Sequence, residues 1–197
     1  FDLDGDLDLY YGYTSSHYFR NDDGYFTELT DINDINDSGI RGIVVGDVDN
    51  NGYPDILKWR YYFDSNYSHF LLLNLGNNYF QTTRYIDSNE MIDLHSQGLL
   101  DVDLDGDLDI VAIERSGDMQ FHIYLNQGFD NDGEIIFENT YNFSRQDDDN
   151  GEDETSSSRT LAIADIDNDG DQDVFVPRKE GINWLFINQT LTRNGNQ

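Results

Sequence analysis

Residues 101–111 read DVDLDGDLDIV, in which five aspartates occupy alternate positions around a single glycine, Gly106. Two carboxylates about 4 Å apart repel each other by roughly 4 kcal/mol at an effective dielectric constant near 20, and a larger group multiplies that cost. A cation bound among the carboxylates would offset the repulsion. The stretch therefore predicts a binding site for a positively charged group.

The acidic stretch is repeated along the chain. DVDNNGYPDIL at 47–57 and DIDNDGDQDVF at 165–175 are complete copies, and DLDGDLDLY at 2–10 is a copy that lacks the opening aspartate. Recurrence of this kind is typical of repeat architectures such as propellers and solenoids. The copies indicate four repeats, at approximately 1–42, 43–97, 98–160 and 161–197.

Short apolar runs flank each acidic stretch. Residues 43–45 precede the second copy, residues 56–57 follow it, and two further runs begin near His69 and Tyr79. The runs are rich in β-branched and aromatic residues and are bounded by Gly, Asn and Asp, which is the pattern of β-strands. No segment has a sustained helical apolar period, so almost no helix is predicted. Four short strands per repeat predict an all-β fold, a β-propeller of four-stranded blades, with a stacked β-solenoid as the alternative.

The order of these features resembles FG-GAP and VCBS-type repeats, as in the head domains of integrin α-subunits. The features that carry the resemblance are the D-x-D-x-D-G-x-x-D loop between two strands, a later strand that ends in N-x-G, as at 74–76, and a following aromatic such as Phe80. The chain departs from the pattern in its first repeat, which lacks the opening aspartate, and in its last, where Asn188 has no glycine two residues on.

The resemblance implies a propeller of about seven blades. Residues 1–197 are then expected to form a single propeller segment of four blades, truncated at both ends. The chain begins at Phe1, inside an acidic loop, so we expect a piece of a longer protein. The resemblance also implies that the calcium loops lie on one face of the propeller and that ligands approach the opposite face.

Calcium is the cation that this loop chemistry favours, because it takes six to eight oxygen ligands at about 2.3–2.6 Å. The predicted ligands are the side chains at the first, third, fifth and ninth loop positions and the backbone carbonyl at the seventh, while the glycine at the sixth permits the turn. They are Asp101, Asp103, Asp105, Asp107 and Asp109; Asp47, Asp49, Asn51, Tyr53 and Asp55; Asp165, Asp167, Asp169, Asp171 and Asp173; and, in the first repeat, Asp2, Asp4, Asp6 and Asp8.

Three calcium sites are thus predicted to be complete, and one at the N-terminus to be partial. Asn51 contributes a neutral oxygen, so the second site is expected to be weaker. An EF-hand is disfavoured, because it needs flanking helices and a glutamate at the twelfth position, where this chain has Lys58, Ala112 and Val176. Magnesium is also disfavoured, because it demands stricter octahedral geometry. The remaining alternative is an acidic surface turn without metal, and four copies of the loop weigh against it.

Composition narrows the possible partners. The chain has 197 residues, with 40 Asp and Glu against 11 Lys and Arg, and a formal net charge of −29. Such acidity argues against nucleic acid and anionic membrane surfaces as partners, since both require basic patches. No cysteine is present, which excludes disulfides and zinc–thiolate sites, and no apolar run approaches the length of a transmembrane helix. The 13 Tyr and 12 Phe in strand-like runs oppose disorder.

The sequence therefore favours a non-catalytic, calcium-binding repeat domain of an extracellular or cell-surface protein. Its predicted role is adhesion, recognition of a protein or carbohydrate ligand, or assembly. Modules tuned to about 10⁻⁴–10⁻³ M calcium suit the cell exterior. The alternatives are a secreted polysaccharide lyase or hydrolase and a structural subunit of a filament or coat, in which other copies complete the propeller.

Other residues have candidate roles. The aromatics at 61–63 could stack on sugar rings or form a protein contact, or they could cover neighbouring blades. The segment 147–159 is expected to be a solvated acidic loop, with binding of a basic partner as the alternative. Trp59 and Trp184 are predicted core residues, and the four histidines, His17, His69, His95 and His122, are predicted to be structural. Sequons that favour a secreted glycoprotein occur at Asn36, Asn66, Asn142 and Asn188.

Overall fold

A computed structural model describes residues 1–12, 15–30, 32, 39–60, 68–77, 79–83, 94–114, 120–144, 158, 160–178 and 183–190. Within these ranges the chain forms strands and turns and contains no helix, so the all-β prediction is confirmed. A search of the same ranges for a helix with the length and apolarity of a membrane span finds none.

The described strands form four antiparallel sheets, and each sheet is built from strands in sequence order. The first sheet contains β1 (Leu9–Gly12), β2 (Ser16–Asp22) and β3 (Tyr25–Leu29), and the second contains β4 (Ile40–Gly46), β5 (Asp55–Arg60), β6 (Ser68–Asn74) and β7 (Phe80–Thr83). The third sheet contains β8 (Leu94–Leu100), β9 (Asp109–Glu114), β10 (Gln120–Phe129) and β11 (Ile135–Ser144), and the fourth contains β12 (Ala162–Ala164), β13 (Asp173–Val176) and β14 (Trp184–Phe186).

These short antiparallel meanders are the blades of a β-propeller-type architecture, as the repeat predicts. The apolar runs of the sequence all fall in strands, although β4 begins at Ile40 and β11 extends to Ser144. One strand, β2, was not predicted. Its sequence, SHYFRND, has only two large apolar residues, Tyr18 and Phe19, and five polar ones, so it contains no long apolar run.

The chain divides into two compact units, Phe1–Met91 with Phe129–Ile135 and Ile92–Gly128 with Ile136–Gln197. In the first unit, Tyr18 from β2 packs against side chains of the second sheet that include Ile56, Leu72 and Phe80. A tyrosine and a phenylalanine of neighbouring blades thus share one core, with the Tyr18 and Phe80 ring centroids 6.1 Å apart. Trp59 is 6% exposed, which agrees with its predicted core position.

In the second unit, the core lies between the third and fourth sheets. Val111 and Phe121 of the third sheet pack against Val174 of the fourth. The rings of Phe121 and Phe186 stack at a centroid distance of 4.3 Å. Trp184 is only partly buried and packs at the border of this core. Burial of such apolar surface contributes about 25 cal/mol per Å² and is the main force that holds the two sheets of this unit together.

Candidate metal centres

Three of the four acidic loops connect two strands of one sheet, and the fourth precedes the first strand. We call residues 2–8 loop 1, 47–55 loop 2, 101–109 loop 3 and 165–173 loop 4. Loop 1 precedes β1, and loops 2, 3 and 4 join β4 to β5, β8 to β9 and β12 to β13. Each complete loop is therefore the tight turn between two paired antiparallel strands.

All four loops share one backbone conformation. The fourth position has φ between 56° and 63°, in the left-handed region, and the glycine at the sixth position has φ between 90° and 105°. Residues with a Cβ avoid the glycine's conformation, which explains why each copy has glycine there. The residues with these angles are Leu3, Asn50, Leu104 and Asn168 at the fourth position and Gly5, Gly52, Gly106 and Gly170 at the sixth.

The first-position aspartate closes each complete loop into a ring. In loop 3, Asp101 Oδ1 accepts a hydrogen bond from the backbone N–H of Asp105 at 3.1 Å, and its Oδ2 accepts one from Gly106 at 3.0 Å. Loops 2 and 4 repeat both contacts, with distances of 3.0–3.2 Å. The side chain that opens the loop thus directs its oxygens toward the loop interior.

The ninth-position aspartate is buried and ties the loop to a third strand. Asp109 is 1% exposed; its Oδ2 accepts the backbone N–H of Val102 and its Oδ1 that of Asn126, both at 2.8 Å. Asp55 and Asp173 make the equivalent pairs of bonds at 2.7–2.9 Å. In loop 1, Asp8 accepts from the backbone of Asn21 at 2.9 Å, from the Tyr18 hydroxyl at 3.1 Å and from the amino group of Phe1.

Loops 2, 3 and 4 each bring three carboxylates together. One oxygen from the first, third and ninth positions lies within 4.8 Å of one oxygen from each of the other two. Two oxygens bound to one calcium ion lie no farther apart than twice the metal–oxygen distance, or about 5 Å, so the donors fit this ion. The groups are Asp47, Asp49 and Asp55; Asp101, Asp103 and Asp109; and Asp165, Asp167 and Asp173. Loop 1 forms no group of this kind within the part of the chain that the structure describes.

The fifth-position side chains lie outside these groups. Asp105 Oδ1 accepts a hydrogen bond from Asp107 N–H at 2.9 Å, and Asn51 Oδ1 accepts one from Tyr53 N–H at 2.7 Å. Asp169 makes the same contact with the Asp171 N–H at 3.2 Å. Coordination by the fifth-position side chains and by the seventh-position carbonyls therefore remains a prediction.

Crowding and burial change the acidity of the clustered carboxyl groups. Burial, with the negative charge of Asp49, raises the pKa of Asp55 to about 7. Burial, with the charges of Asp103 and Asp105, raises the pKa of Asp109 to about 6. The pKa of Asp103 is also raised, first by burial and then by Asp105. A cation bound among these groups favours their ionised form and lowers their pKa values.

An asparagine in or just after the strand that follows the hairpin completes each centre, and no role was predicted for it from the sequence. Asn126 donates its own backbone N–H to Asp109, donates Nδ2–H to the Leu108 carbonyl at 3.3 Å and accepts the Gly128 N–H at 3.0 Å. Its equivalents are Asn21, Asn74 and Asn188. The N-x-G pattern is present at Asn74 and Asn126 and could have identified these two, whereas Asn21 and Asn188 have no glycine two residues on.

Several predicted features lie outside the described residues, namely the aromatics at 61–63, residues 147–157 and 159 of the acidic segment, and the sequons at Asn36 and Asn66.

Three of the four histidines contact an oxygen of a glutamate or of a backbone carbonyl. His17 Nδ1 lies 2.5 Å from Glu28 Oε1, His122 Nε2 lies 3.0 Å from Glu114 Oε1, and His95 Nδ1 lies 2.7 Å from the Ser158 carbonyl. His69 is buried in β6.

Comparison with known proteins agrees with this geometry. The model of the FG-GAP-like repeat family matches residues 1–57 and 101–176, which is more than half of the chain and includes all four loops. A search of curated proteins finds no match. Because the family match covers the repeated loops together with most of the strands that hold them, the chain belongs to the FG-GAP-like repeat family.

Proposed function

We propose that the protein is a non-catalytic, calcium-binding repeat domain of an extracellular or cell-surface protein. Calcium stabilises its blades, and the blades present a surface that recognises a protein or carbohydrate ligand. The observation that carries the proposal is the same group of three aspartates in loops 2, 3 and 4, held by the same hydrogen bonds each time.

The chemistry of the donors supports calcium. All the clustered donors are carboxylate oxygens, which hard divalent cations prefer, and no cysteine is present to bind a softer metal. Bound calcium supplies the positive charge that offsets repulsion within each group. The ninth-position aspartate then connects the loop to another strand of the sheet: in loop 3, Asp109 accepts the N–H of Val102 within the loop and the N–H of Asn126 in β10.

The recognition role rests on family membership and on charge. FG-GAP-like repeats are generally non-catalytic. The net charge of −29 disfavours nucleic acid and anionic surfaces as ligands. Millimolar calcium, which fills sites with dissociation constants of about 10⁻⁴–10⁻³ M, exists outside cells.

Calcium titration with thermal unfolding tests the proposal. With a dissociation constant near 10⁻⁴ M, 1 mM calcium stabilises the fold by about 1.4 kcal/mol per site, or roughly 4 kcal/mol for three sites. We expect calorimetry to count three ions per chain, and the unfolding midpoint to rise in calcium relative to EGTA. An unchanged midpoint would rule out the structural role of the ion.

A matched pair of variants localises the effect. Asp103→Asn removes one charge from the loop 3 group, whereas Asp132→Asn removes one charge from an exposed turn outside the loops. We expect Asp103→Asn to lose one bound ion and Asp132→Asn to lose none. The recognition role is tested separately, by binding of the calcium-loaded protein to arrays of glycans and matrix proteins, with assays for chain cleavage. Cleavage of a glycan would contradict the non-catalytic role.

A further inference from the structure

The backbone of one residue in loop 3, Val102, is hydrogen-bonded through both its N–H and its carbonyl. The N–H of Val102 donates to Asp109 Oδ2 within the loop at 2.8 Å. Its carbonyl accepts hydrogen bonds from Asn188 Nδ2 and from Thr190 Oγ1, both at 2.9 Å. Asn188 and Thr190 follow β14 of the fourth sheet, so the second residue of loop 3 is held by the neighbouring blade.

The first unit contains the same contact at the equivalent position. Phe1 precedes Asp2 as Val102 precedes Asp103, and its carbonyl accepts a hydrogen bond from Asn74 Nδ2 at 3.1 Å. Asn74 ends β6 of the second sheet. The same kind of asparagine bridge therefore occurs in two pairs of consecutive blades. In each pair it runs from the later blade to the acidic loop of the earlier blade.

Each bridging asparagine is oriented by its own blade's loop. The backbone N–H of Asn188 donates to Asp173 Oδ1 at 2.9 Å, and that of Asn74 donates to Asp55 Oδ1 at 2.7 Å. The side-chain Oδ1 of Asn188 accepts the Thr190 N–H at 3.1 Å, which orients the amide so that Nδ2 points at Val102.

A continuous path of hydrogen bonds results. In the second unit it runs from Asp173 in loop 4 through Asn188 to the Val102 carbonyl, and from the N–H of the same residue to Asp109 in loop 3. Both ends of the path are ninth-position aspartates of a carboxylate group. Order imposed on Asp173 by an ion therefore restrains Asn188, and Asn188 restrains the backbone that orients Asp109.

We propose that the calcium sites of loops 3 and 4 are coupled through this bridge, so that an ion in loop 4 strengthens binding in loop 3, with Asn188 as the positioning residue. Asn74 makes the equivalent contact in the first unit. The inference rests on the proposed calcium function. Coupling is reciprocal, because each ion changes the affinity of the other by the same factor. A single neutral hydrogen bond corresponds to about a two- to tenfold change in affinity.

A double-mutant cycle on the full chain tests the coupling, with calcium alone as the ligand. Every variant carries Asp49→Asn, which removes calcium binding by loop 2. Half of the variants also carry Asp167→Asn, which removes calcium binding by loop 4. Calorimetry then measures the dissociation constant of loop 3. We expect silencing of loop 4 to weaken loop 3 by about two- to tenfold when Asn188 is present, and to have no effect in the Asn188→Asp background.

Two further variants keep the result interpretable. Asn188→Asp retains the backbone N–H and the side-chain acceptor, replaces the Nδ2 donor with an oxygen and adds a negative charge. Asn183→Asp makes the same charge change ahead of β14 and is the control for that charge. Thr190→Val removes the second donor to Val102 and is expected to reduce the coupling. Hydrogen exchange of the Val102 amide gives a readout other than binding, and we expect faster exchange in Asn188→Asp.

The outcomes separate the inference from the function on which it rests. If loop 3 binds calcium equally well whether or not loop 4 can bind, the coupling is wrong and the calcium function stands. Absence of calcium binding in the unmodified chain overturns both.

Discussion

The carboxylate of Asp109 accepts the backbone N–H of Asn126 at 2.8 Å, a contact between residues 17 positions apart. The same carboxylate accepts Val102 N–H, so one side chain joins the loop to both β9 and β10. The ninth-position aspartate is thus a structural acceptor as well as a candidate ligand. The third-position aspartate, Asp103, is exposed and is also a candidate ligand; as an acceptor it has the Asp105 N–H within its own loop, at the longer distance of 3.3 Å.

Replacement of Asp109 by alanine is therefore expected to destabilise the protein even without calcium. Two backbone donors would lose their acceptor, at about 1–3 kcal/mol each. Asp103→Asn should leave stability in EGTA nearly unchanged and remove only the part that depends on calcium. Urea unfolding of both variants, in EGTA and in calcium, measures the difference. Equal losses in EGTA would contradict a separate structural role for Asp109.

The pKa values predict an inverse pH dependence for the calcium-free protein. The pKa of Asp55 is raised to about 7 by burial, while an unfolded aspartate titrates near 3.9, so the folded state binds more protons between these values. Stability from this group is complete below about pH 4 and is lost as the pH rises through about 7. Thermal unfolding in EGTA from pH 4 to 8 should show a falling midpoint.

Two controls identify the source of that slope. High salt screens repulsion between exposed charges but acts weakly on buried ones, so the slope should persist in high salt. Asp55→Asn cannot titrate and should reduce the slope, leaving the part that comes from Asp109, whose pKa is raised to about 6 by burial. In saturating calcium the decline should disappear, because the bound ion favours the ionised carboxylate. A midpoint that rises with pH in EGTA would refute the assignment.

The loops and most strands could be predicted from sequence because both are local features. Alternate aspartates around Gly106 encode a turn within nine residues, and runs such as 69–74 encode a strand without reference to partners. The mostly polar strand β2 was not predicted, because it contains no long apolar run. It is a strand because it pairs with β1 on one side and with β3 on the other.

The roles of the asparagines were beyond sequence reasoning. Asn188 meets Val102 across 86 positions, in a neighbouring blade, and no local pattern encodes such a contact. The burial of Asp55 and Asp173 likewise depends on strands that pack around them, whereas composition suggests only solvated acids. The loop pattern alone also could not fix the orientation of the fifth-position side chains. They were predicted to point at the ion, but in the structure they accept a backbone hydrogen bond inside the loop.

Leu104 occupies a conformation that costs free energy. Its φ of 63° lies in the left-handed region, which costs an L-residue roughly 1–2 kcal/mol, although asparagine adopts it more readily. Asn50 and Asn168 occupy the equivalent positions in loops 2 and 4. Leu104 is 38% exposed, so the change also loses part of the leucine's burial, and Leu104→Asn should stabilise the protein by about 0.5–1 kcal/mol after that loss is subtracted. The reverse change, Asn168→Leu, should destabilise the protein by a similar amount in urea unfolding. If both changes stabilise the protein, backbone strain at this position is not the cause of the effect.

Gly42 in β4 lies directly beneath the indole of Trp59 in β5. A Cβ on Gly42 would stand 1.9 Å from Trp59 Cζ2 and 2.3 Å from Cε2, and the strand pairing shifts register beside this glycine. Gly42→Ala must therefore displace a buried aromatic ring, and we expect a loss of about 1–3 kcal/mol or more in urea unfolding. Trp59→Leu removes the obstructing ring at its own cost, so the double variant should be more stable than the sum of the two losses predicts. Additive losses would mean that the two residues do not compete for the same space.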